Sequence, residues 1–458
     1  MAQTVEMPKR LPLVAEPENR DDSTAKDARL VNSYIEKDKR GEYWWYKRAG
    51  LLSNLVKSGN GYGLYNWLGD LYEVFGTTLY KNGSSLGTVD GTGGVYRFST
   101  TLGATPRLVL GNGVKAYTYD GATLAQITDV DFPATFVKGW AYLDGTTYVM
   151  DSKANIYGSD LNDPTSWDPL NVLIAQIEPD GGVALAKQLV YVIAFKQWST
   201  EVFYDAANAT GSPLGTVQGA KCNFGCISAD SIQSIDDILI WVSTNRSAAP
   251  AVMMMDNLKV QKISTKAIDR LLDELDYTTV FSWQFKDEGH RFYGITVKAG
   301  NLTLVYDMDE DRWAQWTDPN GNYWPIVATT YDSALKHYVQ HESNGTMYLM
   351  DRDYTNDYGT VFPVDLYTPL FDGGIDRRKL VNVLHLEGDQ TPGSVIQVRV
   401  SDDDYQTWSN FRSIDMSQPR PFITQMGTFY RRAHNFRHNC NTTMRVRAGD
   451  WQVDIGTL

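Results

Sequence analysis

A short strand-ending pattern recurs along the middle of this chain, and its spacing is the strongest constraint on the fold. Each copy consists of apolar or aromatic residues followed within two positions by Asp, Asn or Gly. Aligned on one position per copy, the steps between copies are 39, 38, 47, 51, 51 and 44 residues. The aligned positions are Tyr80, Tyr119, Tyr157, Tyr204, Met255, Tyr306 and Met350. This period is typical of four-stranded propeller blades, which stack around an axis because one blade cannot bury both of its faces alone.

Turn residues between these copies support an all-β fold. Asn-Gly and Asp-Gly dipeptides supply the positive φ angles that two-residue hairpin turns need, and they recur within residues 61–354. The 27 Tyr, 16 Phe, 13 Trp and 38 Gly residues are a mixture typical of many short strands joined by tight turns. We therefore predict a β-propeller over residues 51–360, with seven blades, or with six if the first copy belongs to a hairpin outside the ring.

Both ends of the chain differ from this repeat. Residues 1–50 begin with a stretch rich in proline and charge, and we expect an extended arm that only a partner orders, followed by a segment leading into the fold. Residues 361–458 alternate apolar and polar side chains at 395–400 and 444–447. This pattern predicts a separate C-terminal antiparallel β module. Within the repeats, Ile268 and Leu272 share one face of a predicted amphipathic helix of about three turns.

The composition limits the classes of function. A net charge of −13 argues against a nucleic-acid-binding surface over the whole protein, whereas an acidic wall beside DNA would keep the DNA from sticking. Three cysteines do not make a disulfide framework. The N-terminal residues lack the apolar segment of a signal peptide, and no apolar run approaches the ~18 residues of a membrane helix. We expect a soluble protein made in a cytoplasm, without cofactors or membrane contacts.

One motif approximates a turn found in sialidase-like propellers. Ser401, Asp403, Thr407 and Trp408 match an Asp-box, except that Tyr405 stands where the box has glycine, and there is one copy. Such boxes fold hairpin turns and are not catalytic in themselves. Glycoside hydrolysis needs two carboxylates facing a sugar cleft, and the sequence marks no such pair among its 55 acidic residues. Because a phosphate-binding loop and a nucleophile elbow are also missing, we expect a protein that is not an enzyme.

A cluster of aspartates resembles part of a calcium-binding loop. Asp307, Asp309, Asp311 and Asp318 mimic the first, third, fifth and last ligands of such a loop. However, Arg312 occupies the position where the loop requires glycine, and no incoming helix precedes the cluster. We therefore predict a charged hairpin turn rather than a calcium site.

Two short pairs have the spacing of zinc ligands. Cys222 and Cys226 are four positions apart, as are His434 and His438. The two pairs lie more than 200 residues from each other and, on the predicted boundaries, in different modules. Since cysteine is often simply buried, we predict no metal at either pair.

Four stretches, in this order, resemble the packaged-DNA stabilisation proteins of short-tailed bacteriophages, also called tail hub or nozzle proteins. Each stretch alone is a weak match, but their order and the intervening lengths make the combination specific. The resemblance covers nearly the whole chain. Its residues are 28–36 with 47–51; 159–167 with 178–180 and 199–203; 263–269 with 289–293, 305–307 and 312–313; and 401–403 with 407–408, 427 and 430–432.

The resemblance implies a structural protein of the virion tail. Members of this family form a homo-hexameric ring below the portal and its adaptor, around the channel through which DNA leaves. They help to retain the packaged genome and attach the distal tail, whether needle, fibres or tailspikes. DNA would pass through the channel without specific binding, and the ring would assemble in the host cytoplasm. A ring protein of this kind needs a rigid scaffold and large subunit interfaces.

The basic C-terminal module is the predicted place of contacts to other subunits or to the adaptor. The candidate interface residues are Arg377, Arg378, Arg431, Arg432 and Arg437. An alternative function remains open on the sequence alone, namely a glycan-binding or polysaccharide-degrading propeller of the tail. Its support is the single Asp-box and the many aromatic residues, which a structural scaffold explains equally well.

Overall fold

The computed structural model describes residues 10–11, 13–17, 28–208, 210–247, 249–273 and 275–456. Strands dominate it, with one α-helix, α1 (Lys266–Asp273), and 3-10 helices at Ala229–Ser231, Tyr277–Thr279 and Lys298–Gly300. Most of the predicted arm, including its charged run at residues 18–22, lies outside the described residues. The first five strands are β1 (Arg10–Leu11), β2 (Arg29–Val31), β3 (Ser33–Lys37), β4 (Tyr43–Lys47) and β5 (Gly50–Val56).

Seven successive groups of four antiparallel strands follow, and we call them blades 1 to 7. Blade 1 consists of β6 (Gly61–Trp67), β7 (Asp70–Phe75), β8 (Thr78–Lys81) and β9 (Ser84–Thr88). Blade 2 consists of β10 (Arg97–Thr100), β11 (Leu108–Gly111), β12 (Ala116–Tyr119) and β13 (Leu124–Gln126). Blade 3 consists of β14 (Ala141–Leu143), β15 (Thr146–Met150), β16 (Asn155–Asp160) and β17 (Asp163–Ile174). Blade 4 consists of β18 (Gly182–Gln188), β19 (Tyr191–Lys196), β20 (Thr200–Asp205) and β21 (Leu214–Thr216).

The remaining blades complete the ring. Blade 5 consists of β22 (Gln233–Ile235), β23 (Ile238–Ser243), β24 (Ala251–Asp256) and β25 (Lys259–Lys262). Blade 6 consists of β26 (Val280–Asp287), β27 (His290–Val297), β28 (Leu302–Asp307) and β29 (Arg312–Gln315). Blade 7 consists of β30 (Ile326–Tyr331), β31 (His337–His341), β32 (Thr346–Asp351) and β5 from the start of the chain. Helix α1, shorter than predicted, lies between blades 5 and 6 with Ile268 and Leu272 buried.

The predicted β-propeller is confirmed. Every aligned position of the repeat falls on the third strand of a blade, from Tyr80 on β8 to Met350 on β32. The first copy therefore belongs to blade 1 and not to a hairpin outside the ring. Six blades are separate four-stranded sheets, and blade 6 is a seventh four-stranded unit that continues into a nine-stranded sheet.

The N-terminal strand β5 closes the ring. It pairs antiparallel with β32, so that Gly50 lies opposite Asp351 and Leu51 opposite Met350. The approach is tight at Gly50, where an added Cβ atom would lie 2.4 Å from the carbonyl oxygen of Asn356. Glycine is therefore required at this position for the closing strand to reach blade 7.

The two ends of the chain build a second unit together, which we call the terminal sandwich. It contains β1 to β4 and the strands after blade 7: β33 (Val364–Tyr367), β34 (Lys379–Gly388), β35 (Val395–Ser401), β36 (Arg412–Asp415), β37 (Phe422–Thr424), β38 (Thr428–Phe429), β39 (Ala433–His438) and β40 (Arg445–Ile455). One sheet has the order β3-β4-β40-β34-β37, with β1 on β40 and β38 on β34. The other continues blade 6 as β29-β2-β33-β39-β35-β36. Leu11, Trp45, Leu366, Val381 and Phe436 are among the buried residues of their common core.

This arrangement differs from the predicted arm. Leu11, Leu13 and Ala15 are buried, and β1 pairs with β40 through Arg10 and Asp450. Over these residues the arm is held by apolar burial and ladder hydrogen bonds of the chain itself, so no partner is required. The division of the chain at residues 50 and 360 stays a prediction. Both sheets of the sandwich, however, combine strands from before residue 50 with strands from after residue 360.

The first strand of each blade faces an axial cavity. Residues of β6, β10, β14, β18, β22, β26 and β30 line one cavity of about 560 Å³. This is the central space expected of a propeller. In the described part of the chain, helices are too short and too polar for any of them to cross a membrane.

Candidate functional site

A buried arginine joins the propeller to the terminal sandwich. The guanidinium of Arg48 donates two hydrogen bonds to the Asp357 carboxylate, at 3.1 and 2.6 Å, and both side chains are fully buried. Arg48 Nη2 also donates to the carbonyl oxygen of Thr317, and the guanidinium lies 3.8 Å from the centre of the Phe362 ring. Because a buried charge is tolerated only when paired and hydrogen-bonded, these groups form one obligatory unit.

Asn32 extends this network to the sandwich. Its Oδ1 accepts hydrogen bonds from Arg48 Nε at 3.0 Å and from the Thr317 N–H at 2.7 Å. Its Nδ2 donates to Thr317 Oγ1 and to the carbonyl oxygen of Pro363. Asn32 therefore connects β2 to the segment after blade 6 and to the segment that precedes β33. The four side chains Asn32, Arg48, Thr317 and Asp357 are called the junction network below.

The neighbouring Lys47 is also satisfied within the chain. Its ammonium donates to the carbonyl oxygens of Thr355 at 2.6 Å and Cys440 at 3.0 Å. Burial, together with the charge of Arg48, lowers the pKa of Lys47 to about 8, against the opposing effect of Asp357. Residues 47–51, which carried part of the family resemblance, thus serve as the covalent and electrostatic link between the two units.

Two of the five predicted interface arginines are buried or half-buried against carboxylates of the same chain. Arg432 is 2% exposed and donates to both carboxylate oxygens of Asp402, at 2.7 and 2.8 Å. This burial corrects its predicted role, because no guanidinium surface remains for a partner. Arg437 is half-buried and forms a bidentate pair with Asp365 between neighbouring strands, at 2.9 and 3.1 Å.

The other three predicted arginines reach the surface of the sandwich. Arg378 and Arg431 are exposed, and Arg377 is partly exposed. Arg431 pairs with Asp404 at 2.5 Å, and Arg378 Nε donates to Thr428 Oγ1 at 3.0 Å. Exposed pairs of this kind are weak and exchange readily for other partners. Arg377, Arg378 and Arg431 therefore remain the accessible part of the predicted interface.

The Asp-box sequence forms a hairpin-end turn. Asp403 Oδ1 accepts hydrogen bonds from Ser401 Oγ at 2.8 Å and from the Thr407 N–H at 3.0 Å. Tyr405, in place of the usual glycine, adopts φ +63°, and its hydroxyl donates to the carbonyl oxygen of Thr368. Because the motif's polar side chains are engaged in the turn itself, it adds nothing to the glycan alternative.

The aspartates of the calcium-like cluster have separate partners. Asp307 accepts from His290 Nδ1 at 2.7 Å, and Asp309 pairs with Arg291 at 2.8 Å. Burial opposes protonation of His290, but the hydrogen bond and charge of Asp307 outweigh it and raise the His290 pKa. Asp311 accepts from the Tyr306 hydroxyl. Across the described residues, no three His, Cys, Asp or Glu side chains converge as a metal site would require.

The cysteine and histidine pairs belong to different units. Cys226 lies in the core of blades 4 and 5, where burial raises the pKa of its thiol to about 12. His434 and His438 are buried on β39 of the sandwich. Burial lowers the pKa of both rings to about 3, with a smaller contribution from Arg432 at His434 and from Lys47 at His438.

Sequence reasoning missed the junction network. Arg48 and Asp357 are 309 positions apart, and nothing near either residue marks the other. The only available signal was that residues 47–51 matched the family in the first of the four stretches. The two adjacent cations Lys47 and Arg48, followed by the small and apolar residues of the match, would have suggested a buried ion pair. They would not have shown which residue carries the opposite charge.

Comparisons with known proteins agree on one family. A family model described as Bacteriophage P22 Gp10, beta-propeller, matches residues 49–355. Among curated proteins, the tail hub protein gp10 of Salmonella phage P22 is 23% identical over 282 residues. That alignment covers 58% of this chain and 57% of the relative, so the chain spans little more than half of the relative's length.

Solved structures give only weak likenesses. Streptogramin B lyase matches 66% of this chain and 97% of its own with 6% identity and a TM-score of 0.41. The WD40 repeats of RRP9 match 67% and 99% with 8% identity and a TM-score of 0.43. At these values the two matches carry no inference about function.

Proposed function

The chain belongs to the phage stabilisation family of bacteriophage P22 Gp10, and on that premise we propose that it is a structural tail hub protein of a short-tailed phage, present in the virion and without catalytic activity. Its relative in phage P22 carries the name tail hub protein. The proposal extends from the matched propeller to the whole chain.

The finer proposal concerns assembly. Six copies form a ring below the portal and adaptor, around the channel through which DNA leaves, and the ring helps to retain the packaged genome. The distal side attaches a needle, fibres or tailspikes. The net charge of −13 supports a channel that DNA crosses without specific binding, since like charges repel. Assembly takes place in the host cytoplasm.

The observation that carries this proposal, beyond the family itself, is the continuity between propeller and sandwich. Blade 6 and the sandwich share one nine-stranded sheet through the pairing of β29 with β2. The junction network fixes the same boundary with a buried ion pair. A ring subunit that resists the pressure of packaged DNA needs this kind of rigid connection between its parts.

The surface arginines of the sandwich are the proposed contacts within the ring or to the adaptor. Arg377, Arg378 and Arg431 lie on a unit that neither closes the propeller nor lines its cavity. Because the chain is acidic as a whole, a basic face complements an acidic face on another copy.

Electron microscopy of the purified full chain, alone and mixed with the portal–adaptor complex of the same phage, tests the assembly. We expect six-fold rings, or six copies bound to that complex. The triple variant Arg377→Glu, Arg378→Glu, Arg431→Glu should weaken assembly at least tenfold. As a control, Arg246→Glu changes an arginine that is 60% exposed in blade 5 and should leave assembly unchanged. A chain that stays monomeric and binds neither partner would contradict the proposal.

A further inference from the structure

The axial cavity of the propeller is a funnel with a basic lining. Lining residues in the middle of the inner strands, such as Leu64 and Leu185, are buried, whereas Lys187 near a strand end and Leu102 just beyond one are exposed. The inner strands of a propeller run in one direction around the axis, so their carboxyl ends meet on one face. The funnel therefore opens on the face that carries the turns between first and second strands.

The charges on the funnel wall have one sign. Of the described residues that line it, Arg97, Lys138 and Lys187 are charged, and none carries a carboxylate. Asp230, behind the wall, is shared by Lys138 at 2.6 Å and Arg97 at 3.7 Å. One carboxylate thus faces two cations at the floor, and Lys187 adds a third cation at the mouth. In a chain with a net charge of −13, this is a local excess of positive charge.

Exposed leucines lie in turns on the face where the funnel opens. Leu335, Leu68 and Leu102, on the adjacent blades 7, 1 and 2, are 82%, 73% and 79% exposed. Leu161 on blade 3 is 70% exposed, and Leu189 on blade 4 is 41% exposed. We call these five residues the leucine arc. Five exposed leucines on one face of a protein exceed the scattered single apolar residues that are normal on a surface, and they indicate an interaction surface.

Backbone geometry separates three of these leucines from ordinary surface residues. Leu68, Leu189 and Leu335 adopt left-handed φ angles of +54°, +52° and +60°. Bulky side chains disfavour this region, whereas Asn, Asp and Gly tolerate it. Equivalent turns elsewhere on this face follow the usual rule, with Asp144 in blade 3 and Asp236 in blade 5. At the three positions, backbone strain and solvent exposure both disfavour leucine. Stability alone therefore does not explain why leucine is there.

We propose that this face docks an acidic loop of another tail protein, with a carboxylate entering the funnel and apolar neighbours covering the leucine arc. The inference rests on the proposed function as a tail hub. Charge complementarity selects an acidic occupant, and the arc selects a protein, because a bound sugar in the funnel would leave the rim leucines exposed. At the rim, Asp236 pairs with Lys286 and Glu288 with Arg352. The exposed Asp144 and Asp237 form no ion pair among the described residues, so the carboxylate of the occupant has to lie inside the funnel and its apolar neighbours over the rim.

The first test is the triple variant Leu68→Asn, Leu189→Asn, Leu335→Asn in the phage that encodes the chain. Asparagine accepts the left-handed backbone, so the thermal midpoint of the purified variant should equal or exceed that of the wild type. Variant virions should keep this chain at normal copy number and lose one other tail protein by at least tenfold. A lower midpoint, or an unchanged virion composition, would overturn the docking surface.

The control is Val130→Asn. Val130 is 92% exposed and lies between the last strand of blade 2 and the first strand of blade 3, at the opposite end of the blades. Its virions should match the wild type in composition. If this chain is missing from wild-type virions altogether, the proposed function fails, an outcome distinct from failure of the docking surface.

The second test is zero-length cross-linking of wild-type virions with a carbodiimide. This reagent joins an ammonium to a carboxylate as an amide with loss of water. We expect mass spectrometry to find Lys187 linked to an Asp or Glu of another tail protein, and the link to disappear in the triple leucine variant. Links confined to a second copy of this chain, or no link at Lys187, would overturn the proposal, as would a glycan-derived adduct at that lysine.

Discussion

The propeller and the terminal sandwich are both antiparallel, but their strands pair over very different distances along the chain. In blades 1 to 6, every pair within a blade joins strands that are neighbours in sequence. In the sandwich, Arg10 lies opposite Asp450, Arg29 opposite Tyr367 and Trp45 opposite Val446. The same kind of sheet is thus assembled from local hairpins in one unit and from the two chain ends in the other.

This difference has a consequence for folding and stability. Pairing between distant strands costs loop-closure entropy before it gains contacts. The closing strand β5 and the sandwich strand β4 are separated only by Arg48 and Ala49, so ring closure and sandwich formation are completed by one short segment. The junction network therefore couples closure of the ring to formation of the sandwich.

The largest expected effect comes from removing the charge at the junction. Arg48→Met leaves the fully buried Asp357 carboxylate without its counter-ion, which costs about 3–5 kcal/mol. The free energy of unfolding in urea measures the loss. Hydrogen exchange should show the amides of β2 and β5 losing protection together, because Arg48 and Asp357 hold both strands through the junction network.

A matched surface pair provides the control for Arg48. Arg431→Met removes a partner of Asp404 where both side chains are exposed, and the change should stay below about 1 kcal/mol. The double variant Arg48→Met, Asp357→Leu should recover part of the lost stability, because no buried charge remains. If β5 keeps its protection while β2 loses it, the two units are independent and the coupling is wrong.

The same contrast explains how much the sequence could predict. The third strands of all seven blades were visible as Tyr or Met followed within two positions by Asp, Asn or Gly, because each hairpin is local and its turn chemistry lies within it. The pairing of β5 with β32 and of Arg48 with Asp357 had no local mark, since both partners are distant in sequence. Arg431 and Arg432 looked alike as a basic patch, but Arg431 is exposed in the bend before β39, whereas Arg432 bridges to Phe371 and is buried against Asp402.

The second prediction concerns Glu73 in blade 1, the propeller side of the comparison. The side chain is fully buried, and burial raises its pKa from 4.5 to about 7, against a hydrogen bond from the Gly83 N–H. Between pH 4.5 and 7 the unfolded chain releases a proton that the folded chain keeps, so the stability falls as the pH rises. Glu73→Gln stays neutral and should gain about 3 kcal/mol relative to the wild type at pH 7.

Urea unfolding at pH 5 and pH 7 checks this prediction. The gain from Glu73→Gln should shrink by about 2 kcal/mol at pH 5. The folded chain keeps the proton at that pH, and the pH is close to the ordinary pKa at which the unfolded chain releases it. An equal gain at both pH values would mean that Gln packs better for a reason unrelated to ionisation. A loss at pH 7 would show that the Glu73 carboxylate is stabilised by its surroundings, contrary to its burial.

The smallest expected effect has the opposite sign and lies in the sandwich. His434 is fully buried and both ring nitrogens are without a described partner, and burial lowers its pKa from 6.5 to about 3. As the pH falls below 6.5, the unfolded chain takes up a proton that the folded chain refuses. Wild-type stability therefore drops by about 2 kcal/mol between pH 7 and pH 5 at this position, and His434→Phe should abolish that drop.

The pH dependences of stability at Glu73 and at His434 distinguish the two units only if each arises from its own residue alone. His337 in blade 7 has the same lowered pKa of about 3, so acid sensitivity is not confined to the sandwich. His337→Phe should remove a drop in stability of similar size that the propeller contributes. Glu73 on β7 and His434 on β39 lie in different units and share no partner among the described residues, so their effects should add within about 0.5 kcal/mol. The double variant Glu73→Gln, His434→Phe should then lack both of these opposing changes of unfolding free energy with pH. A deviation beyond additivity would mean that the junction network transmits protonation between the two units.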